Sequence, residues 1–105
     1  MELLVEVDDS SADESVITLT GSLDLASRGQ LIEAAGAAID AGRGLVLDLA
    51  ELTFLDSTGI GALVEAAGMA ADAEQRFRLR NPSARVARVL ELTGMSEQWQ
   101  IETTG

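Results

Sequence analysis

The chain of 105 residues carries 7 basic and 18 acidic side chains, a net charge of −11, and 47% of it is apolar, which suits one hydrophobic core and a single domain over 1–105. All seven basic residues are arginine, and histidine and cysteine are absent; lysine Schiff bases and P-loops, histidine-dependent nucleophile pairs, thiolate chemistry and nitrogen- or sulfur-ligated zinc and iron sites are thereby excluded. The charge opposes nucleic-acid binding, no stretch approaches the ~18 apolar residues of a membrane span, and Met1 to Val7 lacks the basic and apolar runs of a signal peptide, so a cytoplasmic protein with no cofactor, metal, nucleic-acid or membrane partner is expected.

Leu3 to Val7 and Val16 to Thr20 are short alternating or β-branched runs separated by the acidic, turn-forming segment Asp8 to Ser15, and they predict an antiparallel hairpin. Gly21-Ser22-Leu23-Asp24 leaves the second strand, and Ser27 with Gln30 predicts a capping box. The helix that follows has the core face Leu31, Ile32, Ala35, Ala38 and Ile39 and ends at Gly42. Leu45 to Leu49 reads as a central strand and Ala50 to Leu55 as a loop. Asp56-Ser57-Thr58-Gly59 then opens a helix with the apolar stripe Ile60, Leu63, Val64, Ala67 and Ala71.

Arg76 to Arg80 alternates, Phe77 and Leu79 to one side and three arginines to the other, as a half-buried strand does. The arginines read as a solvated outer face, with an anion patch as the alternative. Asn81-Pro82 predicts an N-cap and first helical residue, Val86, Val89, Leu90 and Thr93 the face of that helix, and Gly94 its end. Trp99 and Ile101 mark a last strand. The order ββαβαβαβ is an α/β fold with a mixed sheet, antiparallel at its start and parallel across the crossover helices. One sheet face is much more polar than the other, so the helices are expected mainly on one face.

The segment Leu52 to Val64 puts a hydroxyl at a helix start beside a carboxylate. Capping by Asp56 or Ser57, worth ~1 kcal/mol, is the plain reading. It leaves Gly59, Gly61 and Gly68 unexplained, each roughly 1 kcal/mol worse than alanine in a helix. At 100° per residue Thr58, Ala62, Glu65 and Met69 project opposite the apolar stripe with Gly61 at the border, a flat face that suits docking of a protein partner.

Leu52-Thr53-Phe54-Leu55-Asp56-Ser57-Thr58-Gly59-Ile60-Gly61 resembles the signature of the STAS domain of bacterial anti-sigma factor antagonists. Leu19 to Asp24, Asn81-Pro82 and Leu92 to Met95 fall where that family has similar residues. The resemblance implies a STAS fold and a partner-switching regulator rather than an enzyme: the unphosphorylated form binds an anti-sigma factor that is also a serine kinase, phosphorylation ends the binding, and a serine phosphatase resets it. Carried over by motif, the acceptor is Ser57, with Thr58 a second candidate. The expected partner-binding residues are Asp24, Asp56, Thr58, Gly59, Gly61, Ala62, Glu65 and Met69. Asp24 and Asp56 stand either to orient the Ser57 hydroxyl or to act as caps and loop charges. The alternative function is a STAS scaffold subunit of a stress-signalling or lipid-transport complex, since fold does not fix function.

Overall fold

The computed structural model describes residues 2–103. In chain order its elements are β1 (Leu3–Asp8), β2 (Glu14–Leu23), α1 (Arg28–Asp40), β3 (Gly44–Asp48), β4 (Leu52–Leu55), α2 (Ser57–Asp72), β5 (Phe77–Arg80), α3 (Ala84–Leu92), the single turn α4 (Met95–Gln98) and β6 (Gln100–Glu102). The sheet order is β1-β2-β3-β5-β6, with β4 alongside the far end of β2. β1 pairs antiparallel with β2 and the other pairings are parallel. This is the expected mixed α/β fold with two additions, β4 and α4.

The acidic hairpin turn is held by its own side chains: the Ser10 N–H donates to Asp8 Oδ1 at 2.9 Å, and the Ser15 hydroxyl donates to Asp9. The Ser10 bond holds the Asp8 carboxyl below the usual carboxylate range. Along the strands, the register Ile17↔Leu47↔Leu79↔Ile101 lines up one apolar row across the sheet. Leu31, Ala35 and Ala38 of α1, Leu63 and Ala66 of α2, and Val86 and Leu90 of α3 close over it as one core. The helices therefore cover one face.

The other face is open, and the adjacent register Val16↔Val46↔Arg78↔Gln100 runs along it. Val46 is fully buried yet stands outside the helix-covered core. Arg78, its neighbour in register, pairs with Glu14 at 2.8 Å and with Glu102, and Arg80 Nε stands 3.4 Å from Glu102 Oε1. Arg76 is exposed, as a solvated face requires, but Arg78 and Arg80 are neither solvated nor a free anion patch. These two form a cross-strand ion ladder that covers the sheet where no helix does.

Local chemistry departs from expectation at three further places. β2 runs on through Gly21 to Leu23 because, beyond the stretch paired with β3 that ends at Thr18, it pairs with β4, whose Thr53 is skipped between Gly21↔Leu52 and Ser22↔Phe54; the segment Leu52 to Leu55, expected as loop, is strand for the same reason. Gly21 has φ +107°, and a Cβ there would lie 2.1 Å from the Glu2 carbonyl oxygen, so only glycine fits. Ser27 makes no side-chain cap to α1. Its hydroxyl donates to the Ser22 carbonyl at 2.8 Å, and Gln30 donates to the Leu3 carbonyl instead of reaching back to the helix start. At α3 the cap is Ser83, not Asn81: the Ser83 oxygen accepts from the Val86 N–H and its hydroxyl donates to the Leu52 carbonyl, tying α3 to β4.

Candidate functional site

Leu23 at the end of β2 and Leu55 at the end of β4 are paired in register, so the turn from Asp24 to Ser27 and the start of α2 leave the sheet side by side. Asp56 caps α2. Its backbone is extended, its Oδ1 accepts the Gly59 N–H at 2.9 Å, and its carbonyl accepts the Ile60 N–H. Gly59 is buried against β2: a Cβ there would lie 2.3 Å from the Leu23 carbonyl oxygen and 2.6 Å from Leu55 Cδ1. The missing side chain lets the first turn of the helix rest on the end of the strand.

Ser57, the first helical residue, is exposed, and among the described residues no hydrogen bond engages its hydroxyl. Thr58 beside it is half-buried. The two nearby carboxylates are occupied in their own turns: Asp24 Oδ1 accepts the N–H of Ala26, the N–H of Ser27 and the Ser27 hydroxyl, each at 3.1 Å, while Asp56 serves Gly59. Of the two roles open to these aspartates, local capping is the one their hydrogen bonds perform. The arrangement presents a hydroxyl to an external reactant and holds no hydrogen-bonded base of its own.

The face of α2 is rotated from the expected one. Its buried residues are Gly59, Ala62, Leu63, Ala66 and Ala70, one residue, or ~100°, away from the stripe Ile60, Leu63, Val64, Ala67 and Ala71. Ala62 is fully buried and offers nothing to a partner, and Gly59 serves packing. Met69 turns toward α1, its Cε 3.6 Å from where a Gly36 Cβ would stand, and is half-buried there. Glu65 is exposed but ion-paired with Arg28 at the start of α1. Gly61 does face solvent, with nothing within 4 Å of a Cβ placed on it.

The outward stripe is Ser57, Gly61, Val64, Gly68 and Ala71. The reason is size. The sheet and α1 approach α2 closely, so apart from Leu63 only small residues sit beneath it, while Ile60 is displaced to its flank and Val64 outward.

Two exposed apolar side chains beside the site were not anticipated: Leu25, 75% exposed in the turn after Asp24, and Phe54, 39% exposed just before the α2 cap. An isolated leucine inside a polar turn was the available signal for the first. Among the described residues no group of three or more acidic side chains could hold a metal ion, and no helix is long and apolar enough to cross a membrane.

The profile of the family described as "Mlab, STAS domain" matches residues 7–102. An anti-sigma factor antagonist from Mycobacterium paratuberculosis superposes with a TM-score of 0.79 at 26% identity, over 98% of this chain and 87% of that one. The anti-sigma factor antagonist SpoIIAA in its unphosphorylated form gives 0.80 at 24% identity over 96% and 89%, and phosphorylated SpoIIAA of Bacillus gives 0.75 at 24% over 96% and 92%. No curated protein matches. With the profile spanning nearly the whole chain and the mixed α/β fold superposing on these structures, the protein belongs to the STAS domain family.

Proposed function

We propose that the protein is an anti-sigma factor antagonist, a binding module whose unphosphorylated form docks an anti-sigma factor that is also a serine kinase and so frees a sigma factor. Ser57 is the acceptor whose phosphorylation ends the binding, and a serine phosphatase restores it. The observation that carries this reading is the exposed, unengaged Ser57 hydroxyl at a helix start that Asp56 already caps. A serine needed for capping would be bound to backbone; this one is free to be modified. The likeness to an antagonist at 26% identity over nearly the whole chain supports the same role.

The electrostatics agree. A phosphate adds about −1.5 to −2 charges where the helix dipole and free N–H groups tolerate them, so the fold survives modification. A partner carboxylate at about 4 Å would then be repelled by about 1 to 4 kcal/mol per charge pair, ~5-fold to ~1000-fold in affinity. The test is incubation of the protein with its cognate anti-sigma factor kinase and ATP, followed by mass-spectrometric mapping; phosphate on Ser57 is expected, and phosphate elsewhere with Ser57 untouched refutes the assignment. The second reading, a scaffold subunit of a stress-signalling or lipid-transport complex, has in its favour only that the STAS fold does not fix function. It gives the free hydroxyl no task, and in that case Ser57→Asp would leave assembly unchanged.

A further inference from the structure

Away from Ser57, the C-terminal half of α2 borders an open groove of about 430 Å³, lined by Val64, Gly68 and Ala71 on one side and by Phe77, Gln98 and Trp99 on the other. Phe77 and Trp99 form its aromatic wall, packed edge to face with ring centroids 5.5 Å apart. Val64 is 47% exposed on the helix side, and a Cβ on Gly68 would meet nothing within 4 Å, so no internal contact requires that glycine. Gly68 lies roughly 16 Å along the helix from Ser57, at ~1.5 Å per residue.

The exposed charges next to its lining residues are mostly acidic, Asp72, Glu74 and Glu97 against the single Arg76 between Gln75 and Phe77, none of them in an ion pair among the described residues. None of the seven arginines lines it. Asp72 and Glu97 are the chain neighbours of Ala71 and Gln98. A second copy of the chain, with its own net charge of −11, would bring like charge against that rim, which disfavours self-association.

We infer that this groove docks an amphipathic helix of a partner protein, apolar on the face that enters between Val64 and Trp99 and basic at its flanks. Gly68 lets the incoming helix come close to the α2 backbone, the aromatic pair supplies the apolar wall, and Asp72 and Glu97 meet the flanking cations. The inference does not depend on the Ser57 switch, because the groove lies on a different part of α2 and needs no phosphate.

Trp99 is the chain's one tryptophan and reports directly on occupancy. The probes are two synthetic helical peptides of about five turns, one with a leucine face and a lysine face, the other with glutamate in place of lysine. The lysine peptide is expected to shift Trp99 emission to the blue saturably and the glutamate peptide to leave it unchanged. Gly68→Arg and, independently, Ala71→Arg are expected to weaken binding of the lysine peptide at least tenfold with the thermal transition retained. Gly29→Arg adds the same charge at an exposed, uncrowded position of α1 and is expected to change binding less than twofold. Equal weakening by Gly29→Arg and Gly68→Arg would reduce the effect to net charge and overturn the groove. Equal binding of the two peptides overturns the charge assignment, and a wild-type dimer in sedimentation that Gly68→Arg dissociates gives the groove to a second copy instead.

Discussion

Gly59, Asp56 and Ser57 divide three tasks among neighbouring residues of one helix start. Gly59 permits the close approach to β2, Asp56 satisfies a backbone N–H, and Ser57 is left without an internal bond. Substitution separates them. Gly59→Ala forces a Cβ into the Leu23 carbonyl and is expected to lose about 1–3 kcal/mol, as overpacking does. Asp56→Ala loses the cap, about 1 kcal/mol, whereas Ser57→Ala is expected to stay within about 0.5 kcal/mol of wild type, since no bond is removed. Urea denaturation of the three variants measures this; a Ser57→Ala loss matching that of Asp56→Ala would make Ser57 a cap after all. Binding should rank the variants differently. Ser57→Ala is expected to keep its affinity for the anti-sigma factor and resist the kinase, while Ser57→Asp, with one added charge beside Asp56, should bind more weakly by about 1 kcal/mol or more. Titration calorimetry giving equal affinities for the two would refute a local electrostatic switch.

At the scale of elements, α2 holds the clearest lesson about what a sequence discloses. Its existence, its start at Asp56-Ser57 and its crossover role were legible, because a capping residue followed by a helical period is a local signal. Its rotation was not. Alanine and glycine fill most of the helix, so hydrophobic contrast around it is weak, and the choice between two faces ~100° apart falls to how closely α1 and the sheet approach, which only the tertiary fold decides. β4 escaped for a related reason: four residues with Thr53 and Phe54 exposed make a strand only because the end of β2, beyond its pairing with β3, offers them a partner. The Ser27 and Asn81 caps were misplaced where a nearby serine or carbonyl made a better bond with the same chemistry. Gly61 and Ala62 now test the rotation side by side. Gly61→Arg meets open space and a better helix former, so stability should hold or rise by up to about 1 kcal/mol, while affinity for the anti-sigma factor falls at least tenfold. Ala62→Met enters a filled core and is expected to lose about 1–3 kcal/mol. Equal thermal transitions for the two variants would contradict the observed facing of α2.

Over the whole molecule, a net charge of −11 makes compactness work against self-repulsion, and Arg28, Arg78 and Arg80 each offset part of it beside a carboxylate. Arg78 stands between Glu14 and Glu102 on the one sheet face that lacks helices, with its stem beside buried Val46. The hydrogen bond with Glu14, ahead of the attraction of both carboxylates, raises the Arg78 pKa. A raised folded-state value means the contribution is complete throughout neutral pH and is lost only as pH climbs through that value. Arg78→Met keeps a stem over Val46 and removes the charge, which takes the net charge from −11 to −12, leaves Glu14 without its cation and leaves Glu102 with Arg80 alone. The groups are partly exposed, so the expected loss at low salt lies between that of a surface pair and that of a buried one, about 1–3 kcal/mol. Salt then discriminates charge from packing. Raising sodium chloride from about 0.1 M to about 1 M shortens the screening length from ~10 Å to ~3 Å, weakening the repulsion among the carboxylates more than it weakens the ladder of the wild type. Stability of Arg78→Met should therefore rise more steeply with salt than that of the wild type, and most of the difference between them should close. A gap that stays constant across the salt series would mean that Arg78 acts through the cover its stem gives Val46, and the ladder's electrostatic role would fall.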